Sequence, residues 1–233
     1  MISVVIPTYN EEANIAACLV SLCNQTLPRE RYELIVVDGG SKDRTREIAA
    51  EYADQVFIQT SKKVGGARND GAKAAKGEIV ATTDADCVIP TDWLERIEAD
   101  FARHPDVVQV YGLVYPKEKN LKHSISLALA NFFSRLGSWT HSMYYTLGCN
   151  TAFRREAFIE VGMYRCIDAG DDLEIARRTR EVGTVFLDTS LRVAFDMRRY
   201  EQFGTLKSLW EWIYIVVRGG NTEKYSYSKR EYK

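Results

Sequence analysis

Two aspartates, Asp84 and Asp86, close the segment EIVATTDAD at residues 78–86. Its Ile, Val, Ala and Thr side chains read as a buried strand, and a strand is a rigid post whose successive side chains alternate faces. Acids at i and i+2 on the tip of such a post can point the same way, and that density of negative charge calls for a cation or a positive group to meet it. Asp is also a common turn former and helix cap, and an isolated D-x-D is more often that. This pair has company. Asn10 follows an apolar run at residues 2–6, and Asp38, with Gly39-Gly40 behind it, follows the run Glu33–Val37.

The elements that would carry these residues alternate. Residues 2–6 form a buried strand that Pro7 ends, and a polar turn from Thr8 to Glu12 opens a helix through about Cys23. Glu33–Val37 is a second strand; Ser41 and Asp43 are N-cap candidates for a helix over Arg44–Tyr52. Gln55–Gln59 is a short third strand. A loop with Gly65 and Gly66 leads to a helix around Arg68–Ala75, then the strand before Asp84, then a helix over Trp93–Arg103. Strand and helix in alternation mean an α/β domain with a mainly parallel sheet between helices. In such sheets ligands bind outside the carboxyl ends of the strands, which is where Asn10, Asp38, Asp84 and Asp86 fall.

The second half is less regular. Val107–Tyr115 reads as a strand. Leu121–Leu136 has helical spacing, with Ile125, Leu129, Phe132, Phe133 and Leu136 as an apolar face. Thr146–Phe153 reads as a strand and Arg154–Val161 as a helix. Asp171 and Asp172 precede a helix over Leu173–Glu181 and suit its N-terminus. Val185–Leu187 and Arg192–Phe195 are short strands, and Thr205–Val217 is a Trp-bearing last helix before a polar tail. The expected layout is a single domain over 1–233: a ligand-binding half at 1–115, a second half at 116–200, and an amphipathic helix with its tail at 201–233.

Composition narrows the classes. The chain has 233 residues, 45% hydrophobic and 27% charged, which is ordinary for a globular protein. A net charge of −1 argues against nucleic-acid binding by bulk attraction to phosphate. Five cysteines in no paired metal spacing read as reduced, hence a cytoplasmic chain. Met1 leads directly into a strand, so no signal peptide is expected, and the apolar run Trp212–Val217 is too short to cross a bilayer. His104, His123 and His141 show no ligand spacing.

The motifs VVIPTYNEEANI, IVVDGGSKDRT, GGARNDGAKAAKGEIVATTDAD, GCNTAFRREAFIEVG and GDDLEIARR, in that order, resemble family 2 glycosyltransferases from about Ile2 to Arg199. The resemblance implies the GT-A fold, inverting transfer of a sugar from a nucleotide-sugar to an acceptor, and a divalent metal, Mg²⁺ or Mn²⁺. Such a metal suits the chemistry, because a departing nucleoside diphosphate needs a cation and hard cations take carboxylate oxygens. By resemblance Asp86 is the direct metal ligand, and Asp84, beyond Ala85, faces the ribose or the metal's water shell. Asp38 matches the acid that accepts a hydrogen bond from the base, with uracil favoured and guanine an alternative. Pro7, Thr8, Tyr9 and Glu11 match the first nucleotide-contacting loop. Gly66, Arg68 and Asn69 match a motif whose arginine approaches the nucleotide or its phosphates.

Inversion needs a base that takes the acceptor's proton. Asp172 is the candidate, beside Asp171, where the family more often has Glu; helix capping is the structural alternative for both. The Gln-x-x-Arg-Trp string of processive members is absent, so one sugar per encounter is expected. Arg198 and Arg199 fall in that zone as candidates for the diphosphate, and Asp196 stands where many relatives place a metal-ligating histidine.

The acceptor is less legible. The apolar Leu121–Leu136, Trp139–Tyr145 and Thr205–Val217 stretches have basic neighbours at Lys117, Lys119, Lys122, Arg135, Lys207 and Arg218. That suits a lipid-linked acceptor such as a polyprenyl phosphate, with peripheral contact at the cytoplasmic membrane face, or equally packing within the domain or across a homodimer. Two rivals stand beside transfer. A nucleotidyltransferase would carry a Gly-rich basic loop near the N-terminus, which PTYNEEANI is not; a non-catalytic nucleotide-sugar-binding module would not need Asp84, Asp86 and Asp172 intact.

Overall fold

In the computed structural model, residues 1–118, 120–140, 146–167, 169–198 and Tyr214 are described. Seven strands form one sheet: β1 (Ile2–Thr8), β2 (Tyr32–Asp38), β3 (Gln55–Ile58), β4 (Ile79–Thr82), β5 (Val107–Pro116), β6 (Thr151–Arg154) and β7 (Thr184–Phe195), in the order β3-β2-β1-β4-β6-β5-β7. β1 to β4 are mutually parallel. β6 runs antiparallel to both β4 and β5, and β5 pairs in parallel with β7. The helices are α1 (Ile15–Cys23), α2 (Thr45–Ala49), α3 (Lys63–Ala74), α4 (Trp93–Arg103), α5 (Leu121–Thr140), α6 (Arg155–Glu160) and α7 (Asp171–Val182).

The pleat distributes the first strand to both sides. Ile2, Val4 and Ile6 pack with Ile15, Leu19 and Leu22 of α1 and with Leu34 and Val36 of β2, in one continuous core that reaches Trp93, Leu94 and Ile97 of α4. Val5 turns the other way, with Ile35 and Val37, toward Ala67 and Ala72 of α3, Phe158 of α6 and Ile175 of α7. Both faces of the central strands are therefore covered, which is why they read as unbroken apolar runs. The carboxyl ends of β1, β2 and β4 are left to form one rim.

Several expected boundaries shift for identifiable reasons. Gly65 and Gly66 lie in the first turn of α3 rather than in a loop before it. Residues 146–150 are not strand; only Thr151–Arg154 pairs in the sheet, because Asn150 has another task. Its amide donates to the carbonyls of Leu113 and Leu191 at 2.9 and 3.0 Å and accepts from Trp93 Nε1 at 2.9 Å. It thereby fills the irregularity where the β5–β7 register slips between Tyr111 and Leu113, and the two expected short strands beyond it are one strand, β7. The helix after Gly170 begins at Asp171, so both acids sit inside its first turn, and Gly170 (φ +80°) supplies a left-handed residue just ahead. The expected helix Thr205–Val217, apart from Tyr214, together with Arg199 and the stretch 141–145, lies outside the described residues.

Candidate active site

The loops after β1 and β2 are stitched together. Backbone N–H groups of Asn10 and Glu11 donate to the hydroxyls of Ser41 and Thr45, each at 2.8 Å, and Asn10 Oδ1 accepts from Lys42 N–H at 2.9 Å. Asn10 has φ +52°, a region asparagine tolerates better than most residues. Ser41 therefore serves the neighbouring loop rather than capping α2, and Asp43 divides its carboxylate between the N–H groups of Glu12 and Thr45. Asp38 is wholly buried. Its carboxylate accepts from the N–H groups of Gly40 and Ser41 at 3.0 and 2.9 Å and from the Ser41 hydroxyl. The half-exposed Tyr9 ring lies against Gly39, where a Cβ would stand 3.3 Å from Tyr9 Cδ2.

One turn of chain away, three carboxylates from two distant segments meet a single guanidinium. Arg68, on α3, reaches Asp84 Oδ1 at 2.9 Å, Asp171 Oδ2 at 3.1 Å and Asp172 Oδ1 at 3.3 Å. Its side chain is 5% exposed, its Nε has no partner, and the Tyr164 ring lies 5.5 Å away. Burial opposes the charge, and Asp84, Asp172 and Asp171 outweigh it, so the guanidinium pKa is raised. Gly148 forms the cover: a Cβ there would stand 2.5 Å from Arg68 Cζ, so only glycine lets this backbone approach. Thr146 ties the same cover to α7 by donating to the Asp172 carbonyl at 2.6 Å.

A second cationic centre lies toward solvent. Arg198, three residues beyond β7, donates to both carboxylate oxygens of Glu11 and lies 3.7 Å from Asp86 Oδ2. An antiparallel bridge between Val88 and Ala194 brings the end of β7 beside the Asp84–Asp86 loop. Asp196 accepts from Arg198 N–H at 2.8 Å and faces Lys117 Nζ at 3.9 Å.

The profile of glycosyl transferase family 2 matches residues 3–162, well over half of the chain. The chain belongs to that family. Among similar proteins are the glycosyltransferase AglE of Haloferax volcanii, 41% identical over 101 residues, 41% of this chain and 33% of that one, and the poly(ribitol-phosphate) beta-glucosyltransferase of Bacillus spizizenii, 43% identical over 102 residues, 41% of this chain and 16% of that one. This chain thus spans a third or less of the length of either relative. Two solved structures share the fold. Staphylococcus aureus TarS in complex with UDP-GlcNAc has a TM-score of 0.67 at 20% identity, covering 84% of this chain and 58% of that one. The mannosyltransferase PcManGT of Pyrobaculum calidifontis, in complex with GDP-Man and Mn²⁺, has a TM-score of 0.69 at 24% identity, covering 83% and 56%.

Within this family 2 chain, the site residues expected from the sequence separate into groups. Asp84, Asp171 and Asp172 converge on Arg68; Glu11, Asp86 and Asp196 converge on Arg198. Arg68 is directed to carboxylates. Asn69 closes on the backbone of Tyr164, donating to its carbonyl at 2.7 Å and accepting from its N–H at 2.9 Å. Gly66 faces Ser61, whose Cβ would stand 2.8 Å from a Cβ at that position. Pro7 and Thr8 are buried at the end of β1. Asn69 and Gly66 each make a specific packing contact here. Gly148 and Thr146 were not named as site residues from the sequence, although Gly148 opens the motif GCNTAFRREAFIEVG, and Lys117 was read only as a basic neighbour of the apolar stretches.

The two acids of α7 differ. Asp171 is 7% exposed and Asp172 26%. Burial raises the pKa of Asp171, with Arg68 opposing. Burial and then the neighbouring Asp171 raise that of Asp172, with Arg68 and the Gly148 N–H opposing. Among the described residues, no three His, Cys, Asp or Glu side chains cluster closely enough to hold a metal unaided. Asp86, with a guanidinium already against it, fits a hard cation that takes one or two carboxylates and completes its shell with phosphate oxygens.

Proposed function

We propose that this chain catalyses inverting, metal-dependent, non-processive transfer of a sugar from a nucleotide-sugar to an acceptor hydroxyl or phosphate. The observation that carries the proposal is the meeting of Asp84, Asp171 and Asp172 on Arg68, next to the Glu11–Arg198–Asp86 group. Carboxylates from three separate segments are thereby gathered at the carboxyl ends of β1 and β4, the rim where parallel sheets bind ligands. The relatives are named as glycosyltransferases, and two fold neighbours hold nucleotide-sugars.

Each residue has a role that follows from its setting. The Tyr9 ring and the Gly39 turn offer the base a flat face, with Asp38 beneath; a direct carboxylate–base bond requires Asp38 to exchange the Ser41 hydroxyl. UDP-sugar is the favoured donor and GDP-sugar the alternative. Asp86, with Asp84, would hold Mg²⁺ or Mn²⁺, and that cation would supply charge stabilisation for the departing diphosphate. Asp196 is the weaker candidate for a ligand, since its carboxylate already serves Arg198 and Lys117. Arg198 is placed to move from Glu11 onto the diphosphate, and Arg199 follows it in the chain.

Asp172 is the base. It is the more accessible acid of the pair, and its raised pKa strengthens it as a proton acceptor for an acceptor hydroxyl. Asp171 is sealed against Arg68 and positions it. The acceptor proposed is lipid-linked; a related Methanococcus voltae enzyme is named for a dolichyl-phosphate-linked sugar.

A panel of nucleotide-sugars with Mn²⁺ tests the proposal. Release of nucleoside diphosphate that Asp172→Asn abolishes is the expected result. Pyrophosphate release would instead mean nucleotidyl transfer, and thermal stabilisation without product would mean a binding module.

A further inference from the structure

We infer that the outward face of α5 is a docking surface for an anionic phospholipid membrane, an assignment that goes beyond the transfer chemistry and does not depend on it.

The helix is amphipathic in the wrong sense for a core helix. Its buried positions include His123, Asn131, Ser134 and Gly137, with only Leu127 as a large apolar residue. Its exposed positions include Leu121, Ile125, Phe132, Leu136 and Trp139, and the two ends of this series, Leu121 and Trp139, are 78% and 79% exposed. At 100° per residue these five fall within an arc of about 60°, and the stripe runs roughly 27 Å along the helix. A rotation that buried the stripe is not open to the helix. Asn131 accepts from Val114 N–H at 3.1 Å and donates to Val114 carbonyl at 2.8 Å, and Tyr111 donates to the Ser134 carbonyl at 3.2 Å. The two Asn131 bonds satisfy β5 backbone beside its register slip, and the Tyr111 hydroxyl adds a third tie, so the inward face is fixed by polar contacts.

Charge decides what covers the stripe. From Leu121 to Thr140 there is no Asp or Glu. Lys122 and Arg135, both exposed, lie on opposite edges of the stripe. A second copy packed on this face would set basic edges against basic edges with no acid to answer them. An anionic bilayer answers both the edges and the apolar centre. No described helix is long and apolar enough to cross a membrane, so the contact is interfacial. The place is apt as well. The chain leaving α5 returns at Thr146, seven residues beyond Trp139, to bond the Asp172 carbonyl.

The test is co-sedimentation of the full chain with vesicles of phosphatidylcholine alone or with phosphatidylglycerol. The expected result is binding to the anionic vesicles only, lowered about tenfold or more by Phe132→Ser with Trp139→Ser, and likewise by Lys122→Glu with Arg135→Glu. The melting temperature and nucleotide affinity of both variants should be unchanged. Failure of the wild type to sediment with either vesicle overturns the inference. So does equal binding by the Phe132/Trp139 variant, which would hand the interaction to another segment. So does a wild-type dimer that this variant renders monomeric. Because sedimentation needs no donor, loss of transferase activity and loss of membrane binding are separately read.

Discussion

Two arginines stand among carboxylates in this molecule, and their settings could hardly differ more. Arg68 projects from α3 in the packed interior, with two of its nitrogens on three acids and 5% of its side chain exposed. Arg198 lies just past β7 with 42% of its side chain exposed, on Glu11 and Asp86. The first is a fixed counter-charge that lets acids from the β4 loop and α7 share one site; without it, burial and mutual repulsion would forbid their assembly. The second is a replaceable cation at the open edge, where a substrate's own cation would arrive. The lesson is that a carboxylate-rich site needs positive charge of both kinds, one to build it and one to yield.

The comparison is broken most directly by Arg68→Met. Removing one partner of a buried ionic group leaves uncompensated charge, which costs about 3–5 kcal/mol. In a domain of this size that is a fall in melting temperature of about 10 °C, measured by calorimetry at neutral pH. The deficit should shrink in acid, where Asp171 and Asp172, whose pKa values are raised, take up protons and no longer repel. Arg68→Lys should recover only part of the loss, since an ammonium cannot reproduce a fork spanning three acids. A neutral effect of Arg68→Met would show that the cluster does not depend on its cation.

Next in size is Asp172→Asn, which should lower turnover by about 10²–10⁴-fold with little change in melting temperature. The sign of the pH dependence follows from the raised pKa of Asp172, pushed up to about 7. A base works deprotonated, so turnover should climb as pH rises through that value and level off above it. The Asn variant should lose this limb. Asp171→Asn should behave differently, lowering activity through the position of Arg68 while leaving the pH limb of Asp172 in place, because its carboxylate is held inside the Arg68 cluster.

How much of this was legible beforehand follows from the physics of each residue. Strands β1, β2 and β4 and the acids at their tips could be read because a buried parallel strand leaves an unbroken apolar run, and charge at its end stands out. The convergence of Asp171 and Asp172 with Asp84 came only through the family resemblance, since no local pattern announces a contact across about a hundred residues. Arg68 was read as approaching the nucleotide or its phosphates; its contacts with three carboxylates were not legible, because one sequence position cannot say which acids a guanidinium meets. The backbone contacts of Asn69 and the close approach of Gly66 to Ser61 were not legible either, since they join segments whose proximity no local pattern announces. The apolar periodicity of α5 was visible and its exposure was one of the readings open; what settles which face is inward is the contact of Asn131 and Ser134 with β5, which no local pattern shows.

A buried acid lacking an arginine of its own sharpens the contrast. Asp100 of α4 is 7% exposed and its Oδ2 has no partner. Burial first, and Asp188 second, raise its pKa to about 6, against the pull of Arg103, His104 and Arg96. A carboxyl whose pKa is higher folded than unfolded binds more protons in the native state, so its contribution to stability falls as pH rises from about 4 to 6. Asp100→Asn should therefore stabilise the protein at pH 7 by about 1–2 kcal/mol and leave it unchanged near pH 4. Urea titrations at the two pH values would decide this, and equal effects at both would remove the ionisation argument.

The smallest effect on stability belongs to Arg198→Ala. Half-exposed ion pairs contribute about 1 kcal/mol or less, so the melting temperature should barely move. What should change is the affinity of the site for a free cation. With Arg198 in place, Mn²⁺ approaching Asp86 and Glu11 meets a positive charge already seated; without it, the same carboxylates are open. Removing one like charge at this range is worth roughly 1 kcal/mol in a solvent-screened setting, so Mn²⁺ binding without nucleotide should tighten about fivefold, read from the free-ion signal in electron paramagnetic resonance. In the presence of a nucleoside diphosphate the order should reverse, because Arg198 then stabilises the phosphates it has moved to. The same variant at Arg68 should show no such reversal, because that guanidinium is sealed beneath Gly148 with nowhere to go.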